Sequence, residues 1–155
     1  MEELKIRIRD YRKVEESLKR MGARFTEELH VVNTYFNQPR GKVLKITEDR
    51  KGNYLVGLAL KDGKFQVVRN ERIADAEREK KRLKKRFGIR CTLKSTRIFS
   101  YGKYVISINL IEGVGEFLIV EGENLKPDVI TKRLKIREPE FITVSFDRLK
   151  QDNKK

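Results

Sequence analysis

The sequence predicts an α+β fold: eight or so antiparallel strands forming a β-barrel, or a sheet curled toward closure, with a few helices lying outside it. Three observations carry this. Runs in which apolar and polar residues alternate recur along most of the chain, and a period of two is the mark of a strand with one apolar face. Turn residues separate these runs at hairpin-like intervals. Only a few stretches repeat their apolar residues at helical spacing.

Residues 3–9 alternate strictly: Leu4, Ile6 and Ile8 share one face and Glu3, Lys5, Arg7 and Arg9 the other. In a barrel the charged face points either to solvent or into the interior. Asp10 then offers an N-cap, and Val14, Leu18 and Met21 recur at helical spacing before Gly22, so a helix is expected over 11–21. Strands are expected over 31–36, 42–47, 54–60 and 64–73, punctuated by Pro39 and Gly41, by Gly52-Asn53 and by the hairpin signal Asp62-Gly63. A second helix is expected over 74–87, closed by Gly88. Strands return over 92–101, 103–110 and 115–121, a short helix follows Pro127, and 141–146 reads as a last strand or turn.

The chain has 155 residues, which suits one domain, expected over 1–150, with 151–155 as a disordered tail. Charged residues make up 39% and the formal net charge is +14. Such a field attracts polyanions: nucleotides, polyphosphate or nucleic acid. It also serves solubility and, in lysine- and glutamate-rich chains, thermal stability. The single cysteine, Cys91, excludes an internal disulfide and a cysteine metal cluster. An opening on a charged strand, with no apolar run long enough to span a bilayer, leads to the expectation of a cytoplasmic protein without a membrane partner.

Several motifs, in order, resemble the CYTH domain, the triphosphate tunnel metalloenzymes that include class IV adenylyl cyclases and thiamine triphosphatases. Met1, Glu3 and Lys5 stand where that family opens with alternating acids and a lysine. Asn33-Thr34-Tyr35-Phe36-Asn37, Leu44-Lys45-Ile46-Thr47, the β-turn-β run from Ile108 to Phe117 and the closing run from Ile142 to Leu149 follow. The resemblance implies an eight-stranded tunnel whose inward basic residues grip a triphosphate and whose acids hold magnesium or manganese. It places Lys5, Arg7, Arg9, Lys45, Arg69 and Lys94 as phosphate contacts. It leaves Glu3 and Glu121 as metal ligands. Where that pattern has further acids or bases, this chain has Met1, Leu58, Val68, Asn70, Arg72, Thr96 and Ile119.

Hard divalent cations need several oxygen ligands, whereas arginine and lysine hold phosphate without carboxylates. The expectation is therefore a divergent CYTH-like binder of a triphosphate, nucleotide or polyphosphate, with little or no catalysis. The rival is a metal-dependent triphosphatase or adenylyl cyclase. Glu3 has a plainer reading as the salt-bridge partner of a neighbouring cation. A third reading comes from the second helix, where Arg78, Lys81, Arg82, Lys84 and Lys85 make a basic face able to meet an RNA or DNA backbone. Its plainer alternative is a solvated helix face supported by a Glu77–Lys81 pair.

Overall fold

The computed structural model describes the backbone of residues 1–153 and the side chains of 1–150. Its core is a closed antiparallel barrel of eight strands. They are β1 (Glu2–Ile8), β2 (Phe25–Phe36), β3 (Lys42–Asp49), β4 (Gly52–Lys61), β5 (Lys64–Ile73), β6 (Ile89–Tyr101), β7 (Val105–Ile111) and β8 (Gly115–Gly122). The order β5-β4-β3-β2-β6-β7-β8-β1 closes through a β1–β5 pairing. A two-residue β9 (Glu140–Phe141) adds to β1 outside this ring. The helices are α1 (Tyr11–Arg20), α2 (Ala76–Phe87), α3 (Pro127–Arg133) and α4 (Phe146–Asn153).

The first strand shows how alternation builds the barrel. Leu4, Ile6 and Ile8 point outward and pack under α1 and α3 against Leu18, Ile130 and Leu134, together with Ile108, Leu118 and Val120 of the neighbouring strands. The opposite face, Glu3 and Lys5, therefore turns into the barrel. On another side, α2 lays Ala76 and Leu83 on the outward Phe36, Ile46 and Leu55. Inside, Tyr35, Val43, Leu58, Phe65, Leu93, Phe117, Ile119 and Phe146 form a third apolar cluster. Phe117 and Phe146 meet at 4.7 Å between ring centroids.

Local signals are realised in detail. Asp10 caps α1, accepting from the backbone N–H of Arg12 and Lys13. Asp62 and Gly63 both take positive φ, 53° and 75°, as a tight two-residue hairpin turn requires. Gly88 ends α2 at φ 80°, and a Cβ there would lie 2.8 Å from Asn37 Nδ2.

Four differences from the sequence expectation have physical causes. β2 is longer than expected because its first residues, from Phe25 to Leu29, pair with the end of β6 from Arg97 to Ser100, and β6 is longer because its first residues pair with Tyr35 and Phe36 at the end of β2. The pairing of Gly57 with Arg69 and of Leu58 with Val67 leaves Val68 as a bulge. Residues 142–145, expected as part of a last strand or turn, leave the sheet after β9, and the chain enters α4 at Phe146. That helix runs on to Asn153 into the expected tail, of which residues 154 and 155 lie outside the described residues. No helix among the described residues is long and apolar enough to cross a membrane.

Candidate anion site in the barrel

One end of the barrel, where β1 starts, opens into a cavity of about 370 Å³. Glu3, Lys45, Thr47, Asp49, Tyr54, Asn70, Arg97 and Glu121 line it. It narrows to a pocket of about 20 Å³ bounded by Lys5, Asn33, Ser95, Asn109 and Phe146. Beyond this the phenylalanine cluster fills the barrel, so the resemblance's tunnel is a blind cup here.

Strand parity places each side chain. Lys45 and Thr47 alternate inward on β3, and Thr47 donates to Asn33 Oδ1 across to β2 at 2.6 Å. On β6 the inward residues are Leu93, Ser95 and Arg97, since Leu93 is buried in the interior cluster. Lys94 is thereby sent to the outer surface, where it borders a shallow depression with His30 and Thr96. The bulge at Val68 switches parity on β5: Phe65 and Val67 face inward before it and Asn70 after it. Arg69 is consequently outside, paired with Glu71 at 3.0 Å.

Of the residues singled out as phosphate contacts, Lys5 and Lys45 thus come together at the cavity. Arg7 shares the inward face but lies past the blockage, over the Phe117 ring, with its Nε donating to Glu140 at 3.2 Å. Arg9 follows the end of β1 and is exposed. Lys94 and Arg69 are outside for the reasons given. Glu3 and Glu121 are direct cross-strand partners and line the same cavity. Arg78, Lys81, Lys84 and Lys85 lie exposed on α2, whereas Arg82 is drawn to Glu79 and Glu77 pairs with Lys80, not with Lys81.

Arg97 is the cation that reading the sequence missed. Its guanidinium stacks over Phe99, approaches Ser107 Oγ at 3.5 Å and pairs with Glu121 at 3.6 Å. Its buried Nε has no acceptor among the described residues. Counting alternate residues from Leu93 would have found it; alignment on Lys94 selected the other face.

Lys5 is 3% exposed and stands over two rings, 4.1 Å from the Phe65 centroid and 4.4 Å from that of Phe146. Burial is the main reason its ammonium drops from 10.5 to about 8, aided by Lys45 and Arg97 and opposed by Glu3 and Asp147. Burial also pushes Lys45 below its usual value. Glu121 is pushed up by burial first and by the neighbouring Glu3 next, against the pull of Arg97 and Lys45.

The donors fit a metal poorly. Asp49 Oδ1 already accepts from the backbone N–H of Lys51 and Gly52. Among the described residues no group of three or more histidine, cysteine or acidic side chains could hold an ion. Glu3 and Glu121 alone fall short of the several oxygens a magnesium or manganese site requires.

The cup is held shut from below by the C-terminal segment. Ile142 N–H donates to Lys5 O at 2.9 Å. The buried Asp147 of α4 pairs with Arg90 of β6 at 3.0 Å. Arg148 donates to Gln38 O at 2.6 Å.

No family model and no curated protein matches the sequence. Among solved structures, the chain is similar to a conserved hypothetical protein from Pyrococcus furiosus, 23% identical, over 96% of this chain and 99% of that one, with TM-score 0.82. It is similar to PH1012 from Pyrococcus horikoshii, 21% identical, over 96% and 99%, with TM-score 0.81. It is also similar to HpAC1 from Hippeastrum, which carries an adenylyl cyclase name and is described by a dominant triphosphatase activity. There the identity is 14%, the coverage 98% and 95%, and the TM-score 0.67. At these identities the likeness is one of fold.

Proposed function

We propose that this chain is a divergent CYTH-like protein that binds a phosphate-bearing anion, a nucleotide or short polyphosphate, in the mouth of its barrel with little or no catalysis. The observation that carries this reading is the convergence of Lys45 and Arg97 on one cavity, with Lys5 behind them and a buried Arg97 donor without an acceptor. A phosphate oxygen meets such donors through charge-assisted hydrogen bonds. A fold shared with a protein described by triphosphatase activity supports the ligand class. The poor metal donor set argues for binding over phosphoryl transfer, which draws on metal charge in most such sites.

Calorimetry at low salt with ATP, thiamine triphosphate, tripolyphosphate and long polyphosphate tests this. Binding of the short anions is expected, weakened about tenfold or more in Arg97→Gln or Lys45→Gln, since each removes a charged hydrogen bond. Failure of all four ligands to bind would overturn the reading. Phosphate release with magnesium or manganese, lost in Glu3→Gln, would replace it with the enzyme reading.

A second reading rests on α2. Its acids are tied up by Lys80 and Arg82, while Arg78, Lys81, Lys84 and Lys85 stand exposed without an ion pair among the described residues. That face suits a nucleic-acid backbone. Neutralising Lys81, Lys84 and Lys85 together should lower the salt slope of single-stranded RNA binding by about 2. An unchanged slope would rule α2 out as the contact.

A further inference from the structure

The closed end of the barrel carries a second cavity, of about 200 Å³, separate from the cup. It lies where the first residues of β3 meet the segment that leads into α4. Arg40, Lys42 and Arg148 line it together with Thr143 and Ser145, over the ring of Phe65. No lining residue is acidic. None of the three cations forms an ion pair with a described carboxylate, although acids and bases pair widely elsewhere on this surface. Arg148 is not free to swing away, because one guanidinium nitrogen is held on Gln38 O at 2.6 Å. Its remaining N–H groups are available as a fixed fork.

We propose that this cavity is a second anion site, selective for a single phosphate group: inorganic phosphate or the phosphate of a small monoester. Three cations that border one small cavity without a paired carboxylate can each offer a dianion a charge-assisted hydrogen bond. The two hydroxyls add neutral donors. The volume is below the range of about 300–1,000 Å³ usual for pockets that enclose drug-sized ligands, so a nucleoside is excluded while a phosphate group fits. Phe65 stands between the site and the cup, since Lys5 packs on its ring and the same residue lines this cavity. The two sites are therefore distinct, and this inference does not depend on the function proposed for the cup.

The test is an amide NMR titration of the full-length chain, with inorganic phosphate in one arm and glycerol 3-phosphate in the other, at low salt. The chain carries Lys45→Gln and Arg97→Gln so that the cup is disabled. Saturable shifts are expected at Gly41, Val144 and Ser145, and the arm that binds more tightly identifies the source. Adding Lys42→Gln should weaken that binding about tenfold. Lys42 is exposed at the start of β3, and its side chain makes no hydrogen bond or ion pair among the described residues, so this variant keeps its fold. Arg148→Gln should weaken it at least as much. Shifts confined to cup residues such as Asn70 and Glu121, or an affinity unchanged by Lys42→Gln, overturn the proposal. Loss of cup binding alone leaves these shifts in place and bears only on the function proposed above.

Discussion

Replacing Lys5 by methionine should make the protein's stability less dependent on alkaline pH. Lys5 sits at the floor of the cup, 3% exposed and between two phenyl rings, and its ammonium titrates at about 8 in place of 10.5. At about 1.4 kcal/mol per pH unit, that difference corresponds to about 3 kcal/mol held against the charged form in the fold. The sign follows from proton counting. Below pH 8 both the folded and the unfolded chain keep the proton, and the fold bears the whole cost. Between pH 8 and 10.5 the folded chain sheds it first, the unfolded state binds more protons, and stability rises with pH. Methionine fills a similar volume and has no proton to lose. The stability of the wild type relative to Lys5→Met should therefore climb by about 3 kcal/mol between pH 7 and 10.5. In a domain of this size this is about 6–12 °C in Tm. The assay is thermal or denaturant unfolding of both proteins across that range. Taking the difference cancels Lys51 and Lys80, whose raised values act in the opposite sense. A difference that stays flat or falls with pH would refute the reasoning. Lys5→Met should also weaken anion binding in the cup, because gain in stability and loss of function share one buried charge.

Other consequences are local. Arg90→Gln leaves the buried Asp147, 5% exposed, without its 3.0 Å partner, and should cost about 3–5 kcal/mol in urea unfolding. Gly88→Ala asks a residue with a side chain to hold φ 80° and to push Asn37 Nδ2 from 2.8 Å. A loss of about 1–2 kcal/mol is expected, while Gly63→Asn, a residue tolerated at positive φ in an open turn, should be nearly neutral. Asp10→Ala removes the cap that takes two N–H groups of α1 and should cost about 1 kcal/mol.

Much of the fold was legible because strands, caps and tight turns are written in short windows. The alternation over 3–9, the cap at Asp10, the hairpin at Asp62-Gly63 and the stop at Gly88 each depend on a few adjacent residues and their φ preferences. The approximate strand count follows from these, and with it an antiparallel barrel. Lys5, Lys45, Glu3 and Glu121 line the cavity on the faces that the CYTH resemblance implied; alternation grouped each face without saying which one turned inward.

What local pattern could not decide was which face of a strand turns inward once its register is disturbed or both its faces are covered. Arg69 and Asn70 exchange sides because one bulged residue, Val68, shifts parity, and nothing in the sequence of β5 marks it. Lys94 lies outside and Arg97 inside because β6 carries charged residues on both faces, so its phase is set by the packing of Cys91 and Leu93 against the interior cluster. The blind floor of the cup, closed by Phe146 and secured by Arg90 and Asp147, depends on a contact between residues 57 apart in the chain. Alternation and turn chemistry thus settled that a barrel forms and which stretches build it. Side-chain packing across the closed sheet settled which charges face one another inside it, because that depends on register and on distant partners.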